Sequence, residues 1–202
     1  MQAMLIVVEG VDKAGKSTVV IPQLTKLIKS SGGVPYVMQS FEYKDVKDVF
    51  LANIDNPVER AIISTYDRFI TLHQMMTLMA SEHHDRTVVF ILDRWVYSEM
   101  VYNEHYDTNQ TVYNIINSID KIPSIILHCH IKPETLQARL DNDEKVDILD
   151  MQAVENHTKI MQRYNRIFSE IENVVVPIAC DDRMQTECQI KAFFDFYIRE
   201  QL

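Results

Sequence analysis

Unbroken apolar runs rich in β-branched residues punctuate this chain. Met4-Leu-Ile-Val-Val8 comes first, followed by Val34 to Met38, Thr87 to Leu92, Ile125 to Ile131 and Val174 to Ala179. A strand with one wet face alternates apolar and polar residues, whereas a run without alternation suits a strand covered on both faces, as in a parallel sheet. The stretches between the runs are long enough for crossover helices. The pattern therefore predicts an α/β fold in three layers, α/β/α, around a five-stranded parallel sheet.

Helical spacing fills several of the intervals. The longest candidate is Pro57 to Ser81, where Asn56 can cap, Pro57 sits at the first helical position and Glu59 completes a capping-box spacing. Ile62, Ile63, Phe69, Met75, Met76 and Met79 form a broad stripe on it, which reads as core or subunit interface rather than a ligand box. Thr111 to Ser118, Met151 to Ile171 and Gln185 to Gln201 show the same spacing, the last with Phe193, Phe194, Tyr197 and Ile198 as its apolar face. Pro22 falls inside the first interval, where it should kink or shorten a helix. No repeat or linker interrupts the pattern, so residues 1–202 read as a single domain.

Charge and cysteine content narrow the chemistry. A net charge of -9 argues against a general nucleic-acid binder, whose affinity comes from neutralising phosphates with Lys and Arg. A small anionic ligand held by a local basic cluster stays open. Cys129, Cys180 and Cys188 form no C-x-x-C pair, so neither a disulfide framework nor a thiolate zinc site is indicated, and a reducing, intracellular setting fits. Met1 to Val8 lacks a basic flank and a cleavage site and is too short to cross a bilayer, which excludes a signal peptide or membrane anchor. His128 and His130 alternate on one strand face and His83-His84 are adjacent, but no third ligand lies at a recognisable spacing, so they read as strand or surface histidines.

Gly10-Val-Asp-Lys-Ala-Gly15-Lys16-Ser17 matches G-x-x-x-x-G-K-[ST] directly after the first apolar run and before a helical segment. Backbone N–H groups freed by the glycines curl around phosphate oxygens, and the helix N-terminus adds positive potential. Lys16 reaches the outer phosphates, and Ser17 supplies a Mg²⁺ ligand. The third run ends at Asp93-Arg94, which places a carboxylate and a guanidinium at the carboxyl edge of the sheet, where open α/β folds bind ligands. Asp93 can hold Mg²⁺ through water and Arg94 can grip phosphate with two prongs, as transfer between two phosphates requires.

Leu5-Ile-Val-Val-Glu-Gly-Val-Asp-Lys-Ala-Gly-Lys-Ser-Thr18 resembles the opening of the thymidylate kinases, nucleoside-monophosphate kinases of the P-loop class. Asp93-Arg-Trp-Val-Tyr-Ser98 followed by Tyr102-Asn103 resembles that family's D-R-Y-x-x-S…A-Y-Q segment. The resemblance is strong around residues 5 to 18, 60 to 69 and 93 to 103 and loose elsewhere. It implies the fold of that class, with ATP as donor, Mg²⁺ as cofactor and a deoxynucleoside monophosphate as acceptor. It also implies a homodimer, with the Met-rich helix as the plausible contact.

Site roles follow from the resemblance residue by residue. Gly10, Lys13, Ala14, Gly15, Lys16, Ser17 and Thr18 would hold ATP, with Arg139 beside them. Lys13, Lys16, Asp93 and Arg94 would serve phosphoryl transfer, and Ser17 and Asp93 the metal. Lys13 is the basic loop residue of the subtype whose lid takes no part in catalysis. The acidic stretch Arg139-Leu-Asp-Asn-Asp-Glu-Lys-Val-Asp147 agrees with that subtype and marks a mobile lid over roughly 139–150. Asp12 matches the carboxylate that contacts the acceptor's 3′ hydroxyl, Phe41 a pocket aromatic, Lys44 the acceptor-phosphate contact and Arg68 the arginine that hydrogen-bonds the base. Ser98 completes the D-R-Y-x-x-S turn, Tyr102 crowds the 2′ position, and Asn103 stands where a polar residue often meets the base.

Some positions depart from the family. Ser64 stands where a phenylalanine usually stacks on thymine, opening space or adding a hydrogen bond. Lys44 replaces an arginine and loses its two-pronged geometry, and Trp95 replaces a tyrosine. The expected activity is phosphorylation of a deoxynucleoside 5′-monophosphate, dTMP first, with a modified base as a further option. The alternatives are a deoxynucleoside kinase, a kinase acting on a hydroxymethylated base, and a non-catalytic P-loop regulator.

Overall fold

The computed structural model describes residues 3–81, 85–119, 124–143 and 148–202. The apolar runs become β1 (Ala3–Gly10), β2 (Val34–Gln39), β3 (Val88–Asp93), β4 (Ile125–His130) and β5 (Val174–Ala179), in the spatial order β2-β3-β1-β4-β5. All four pairings are parallel. β1 and β3 are buried over nearly their whole length, which is why their sequences lack alternation, while the edge strands β2 and β5 keep exposed positions. β1 lies at the centre, and the chain turns from one side of it to the other between β3 and β4. This topology opens a crevice at the carboxyl ends of β1 and β3.

The helices are α1 (Ile21–Ser30), α2 (Lys44–Ala52), α3 (Pro57–Ser81), α4 (Val96–Tyr102), α5 (Gln110–Ile116), α6 (Pro133–Asp141), α7 (Ile148–Glu155), α8 (His157–Ser169) and α9 (Arg183–Tyr197), with a 3₁₀ turn at Arg199–Gln201. α1 packs on α9, and α4 packs on β1 and against α8 and α3. The expected helix 151–171 is two helices, because Asn156 leaves helical geometry at φ -111° and ψ 16° and becomes the cap of α8. Asp182 accepts a hydrogen bond from the Gln185 N–H at 2.8 Å, so α9 begins earlier than its apolar face suggests. α3 starts as its sequence signals, with Asn56 Oδ1 accepting from the Val58 and Glu59 N–H groups at 3.2 and 3.3 Å.

Pro22 acts through winding. Residues Lys16–Val20 form a wide π turn, with the Val20 N–H reaching Gly15 O at 3.2 Å, and the chain tightens to an α-helix at Ile21. Pro22 sits in the first turn of α1, where a missing N–H is tolerated.

The inward face of α3 mixes polar and apolar residues, with Val58, Ala61, Leu72, Met75 and Leu78 in or against the core. Its buried positions include Ser64, Thr65, Asp67, Arg68 and Thr71, whereas Ile62, Tyr66, Phe69 and Met76 are at least half exposed. Of the expected stripe, Met75 packs on the core and Ile63 is half-buried, while Ile62, Phe69, Met76 and Met79 face solvent.

His128 of β4 is buried among aromatic rings, 5.0 Å from Tyr164 and 4.9 Å from Phe168 between centroids, and its Nε2 has no partner among the described residues. Among the described residues no group of three His, Cys, Asp or Glu side chains could hold a metal, and residues 83 and 84 lie outside them. Burial, with the neighbouring His130, pushes the His128 pKa down to about 3. Unfolded, the same ring takes its proton near pH 6.5. The unfolded state thus binds the extra proton between the two values, so this contribution to stability is full above the higher value and is lost as pH falls toward the lower. Replacement His128→Phe should flatten the fall of unfolding free energy across that window, read by urea denaturation at a series of pH values.

β1 ends at Gly10 for a steric reason. Its φ is 142°, and a Cβ there would lie 2.4 Å from the Cys129 carbonyl oxygen of the neighbouring strand. Gly10→Ala should therefore destabilise the fold by at least about 2 kcal/mol, measured as a lowered denaturation midpoint.

Candidate active site

The phosphate loop hangs between two fixed points. Gly15, at φ 94°, leads into the π turn, and Lys16 is buried with Nζ donating to the carbonyls of Gly10 at 3.1 Å and Val11 at 2.7 Å. Burial lowers the Lys16 pKa and Arg94 lowers it further, while Asp12 and Asp93 pull it back up. Ser17 Oγ donates to Asp93 Oδ2 at 2.6 Å. A hydroxyl and a carboxylate oxygen therefore stand together at the mouth of the loop, the hard-oxygen pair a Mg²⁺ ion takes.

The turn after β3 is held from β1. The Arg94 N–H donates to Val8 O at 3.0 Å, and Glu9, the residue before the loop, accepts from the Trp95 N–H at 2.7 Å, Ser98 Oγ at 2.5 Å and Tyr164 Oη at 3.1 Å. Arg94 adopts φ 73° and turns its guanidinium to Asp12 and, at 2.9 Å, to Ser98 Oγ. Its charge lies 5.5 Å from the centre of the Tyr102 ring. Burial favours the neutral acid at Asp12, but Arg94, Lys16 and Lys13 outweigh it and hold the carboxyl below its ordinary value.

The opposite wall is built from the β2–α2 turn and the buried face of α3. Phe41 takes φ 53°, and its N–H donates to both oxygens of Asp67, at 3.0 and 3.1 Å. Arg68 Nη1 bonds Asp67 Oδ2 at 2.7 Å and Ser40 Oγ at 2.8 Å, and its guanidinium lies between the Phe41 and Trp95 rings at 5.9 and 5.8 Å. The two walls enclose a cleft of about 870 Å³ that runs from the phosphate loop and Arg139 to Phe41, Phe50 and Arg68.

Most of the residues singled out from sequence converge on this cleft: Asp12, Lys13, Gly15, Lys16, Ser17, Thr18, Phe41, Arg68, Asp93, Arg94, Ser98, Tyr102 and Arg139 line it. Gly10 and the buried Ala14 shape the loop from behind. Arg139 Nη1 donates to Lys13 O at 2.8 Å and its Nη2 to Cys180 O, so α6 braces the loop. Lys13, at φ 57°, pairs with Asp143 at 2.8 Å. The proposed lid over 139–150 lies partly outside the described residues, at 144–147. Lys44 is exposed at the start of α2, one turn before Lys47, which lines the cleft. Ser64 is buried behind the wall, its Oγ 3.4 Å from Ala61 O. Asn103 is buried too, with Nδ2 donating to Pro57 O and Glu99 Oε1, both at 3.0 Å.

Sequence reasoning passed over Glu9, Lys47, Phe50, Arg60, Glu99 and Tyr164. Two of them carried a signal. Glu9 is a carboxylate directly at the end of a buried strand, and Arg60 stands two helical turns before Arg68, on a helix whose other arginine was already assigned.

This arrangement can hold a nucleoside triphosphate at one end and a second phosphorylated molecule at the other, with Arg94 between them. Comparison with known proteins agrees. Residues 8–186 match the family model described as thymidylate kinase. The thymidylate kinase of Coprothermobacter proteolyticus is 30% identical over 173 residues, covering 81% of this chain and 85% of that one. A probable thymidylate kinase of Sulfolobus acidocaldarius is 24% identical over the same shares. The solved thymidylate kinase of Candida albicans, at 17% identity, shares the fold with a TM-score of 0.69 over 98% of this chain and 93% of its own. With most of its length matched and its loop, Asp-Arg turn and the wall of Phe41 and Arg68 gathered on one cleft, the chain belongs to the thymidylate kinase family, phosphotransferases that phosphorylate nucleoside monophosphates.

Proposed function

We propose that the chain transfers the γ-phosphoryl group of Mg-ATP to the 5′ phosphate of dTMP, or of a deoxyuridylate carrying another small group on the base. The observation that carries this reading is the single cleft in which the loop of Lys16 and Ser17 faces the wall of Phe41 and Arg68 across Arg94. An acceptor phosphate oxygen attacks the γ-phosphorus as the bond to the β-phosphate oxygen breaks, so no covalent enzyme intermediate is needed. The protein supplies alignment and charge.

Lys16 gives up the Gly10 and Val11 carbonyls for the outer phosphates, and Lys13 and Arg139 stand at the same end. Arg94 exchanges Asp12 for the phosphates, which frees the carboxylate for the sugar hydroxyl beside the Tyr102 ring. Ser17 Oγ and Asp93 would hold Mg²⁺. When bound there, the ion neutralises and aligns the donor's phosphate oxygens. Phe41 and Arg68 receive the base, and Ser64, buried behind that wall, is smaller than the phenylalanine usual at its position in the family.

The test is ADP release from Mg-ATP with dTMP, dUMP, 5-hydroxymethyl-dUMP, dCMP, dGMP and dAMP, run beside the parent nucleosides and a DNA duplex. Turnover should be confined to monophosphates; turnover of nucleosides or DNA alone, or none, rejects the reading. Lys16→Ala and Arg94→Ala should each reduce kcat by at least about a hundredfold while leaving the folded structure intact by circular dichroism.

The outward stripe of α3 supports a homodimer. Ile62, Tyr66, Phe69, Met76 and Met79 are spaced by four, three, seven and three residues, which keeps them on one side of the helix, and all are solvent-exposed in the single chain, the pattern of a helix seam awaiting a partner. The double change Ile62→Glu with Met76→Glu should halve the mass measured by light scattering without loss of helix content.

A further inference from the structure

The backbone of Arg94 is held by β1, but its side chain has an anchor of its own. Nη1 donates to Ser98 Oγ at 2.9 Å and makes a longer contact with Tyr164 Oη at 3.5 Å, while Nη2 meets Asp12. Once Arg94 exchanges Asp12 for the phosphates, these two hydroxyls are the acceptors that remain to it among the described residues.

Both hydroxyls have their protons committed elsewhere. Ser98 Oγ donates to Glu9 Oε2 at 2.5 Å and Tyr164 Oη donates to the same oxygen at 3.1 Å, and the two hydroxyl oxygens lie 3.2 Å apart. A hydroxyl carries one proton and two lone pairs. With both protons turned to the carboxylate, only lone pairs face the cation, so Glu9 converts two rotors of either sense into acceptors aimed at Arg94. Burial raises the Tyr164 pKa well above the ordinary phenol value and the Glu9 charge raises it further, outweighing Arg94, so the proton stays on the hydroxyl.

Packing does not account for that hydroxyl. The Tyr164 ring is fully buried on α8 beside His128 and Phe168, with centroids 5.0 and 5.5 Å away, a nest that a phenylalanine would fill as well. Burying a hydroxyl is costly unless it is bonded. Its neighbour Arg163 clamps α8 to α4 through Met100 O at 2.9 Å and Asn103 O at 2.8 Å, which fixes where Tyr164 stands relative to Ser98. A serine hydroxyl swings among its rotamers, whereas a phenol oxygen lies on the ring axis and is placed by the packed ring.

We infer that Tyr164 is a positioning residue for phosphoryl transfer: with Ser98 and Glu9 it holds the Arg94 guanidinium in place as that group leaves Asp12 for the phosphates. This rests on the reading of the chain as a deoxynucleoside-monophosphate kinase. Tyr164 does not line the cleft and reaches the reacting groups only through Arg94. Ser98, expected from the sequence to bind substrate, commits its hydroxyl to the same anchor.

The experiment compares Tyr164→Phe with the wild type, alone and on an Arg94→Ala background, by kcat and by KM for ATP and dTMP. Tyr164→Phe should lower kcat about tenfold or more, keep the KM for ATP within about twofold, and leave the urea midpoint near that of the wild type. On the Arg94→Ala background the same change should alter kcat by less than about twofold, because the hydroxyl then has no guanidinium to hold. A merely structural role would cost the same factor on both backgrounds. Should Tyr164→Phe not fold, Ser98→Ala removes another corner of the same triangle, and the same two comparisons decide the matter. A kcat within about twofold of the wild type, or an equal loss on both backgrounds, overturns the role of Tyr164. If the wild type turns over no monophosphate at all, the kinase reading falls and this inference with it, whereas wild-type turnover with an unmoved kcat in Tyr164→Phe defeats only the inference.

Discussion

A single buried carboxylate ties the site together. Glu9 is fully buried at the carboxyl end of the central strand, and an unpaired charge there would be costly by several kcal/mol. Its partners are the Trp95 N–H and Ser98 Oγ, at and just past the start of α4, and the Tyr164 hydroxyl from α8. Satisfying Glu9 therefore fixes the turn after β3 against the loop after β1. Arg94 sits inside that turn, so its place over the phosphate loop follows from the needs of a buried residue that does not line the cleft. The register of β1 and β3, with Val8 opposite Asp93, brings Ser17 and Asp93 within reach of each other for the same reason.

α3 shows how far a site can override ordinary patterning. A helix flanking a sheet normally turns apolar residues inward, yet α3 buries Ser64, Thr65, Asp67, Arg68 and Thr71. Each buried polar group must find a partner. Asp67 meets the Phe41 N–H, Thr71 meets Asp67 O and Arg68 meets Ser40. Part of the inward face of α3 is thereby a polar floor for the cleft, and Ile62, Tyr66, Phe69 and Met76 are left outside while Ala61, Leu72 and Met75 still meet the core.

The central strands were legible because burial on both faces leaves a continuous apolar run, and the phosphate loop because its chemistry needs glycines and a lysine at set spacings. The start of α3 was legible from Asn56 and Pro57. Short helices were harder. α2 and α4 carry charged and aromatic residues that serve the cleft, so their periodicity is weak, and the break at Asn156 follows from a local backbone turn that apolar spacing does not encode. Residues such as Arg60 and Glu99 escaped for a related reason: a buried ion pair is assembled from two distant elements, and neither sequence neighbourhood announces the other. The faces of α3 were half visible, since the stripe could be seen but not that Met75 would meet the core while Ile62, Phe69 and Met76 stayed in solvent.

Lys13, Phe41 and Arg94 hold positive φ angles of 57°, 53° and 73° without being glycine, and all three stand on the cleft wall. Each such backbone costs on the order of 1–3 kcal/mol, tolerated because the surrounding bonds leave the chain no other path. That restricts the evolutionary routes open to the cleft. Drift at these positions is channelled toward glycine or asparagine, which accept the backbone, and away from β-branched residues, which do not. New side-chain chemistry for the phosphates or the base would then arise more readily on the helical walls, where the backbone imposes no such filter.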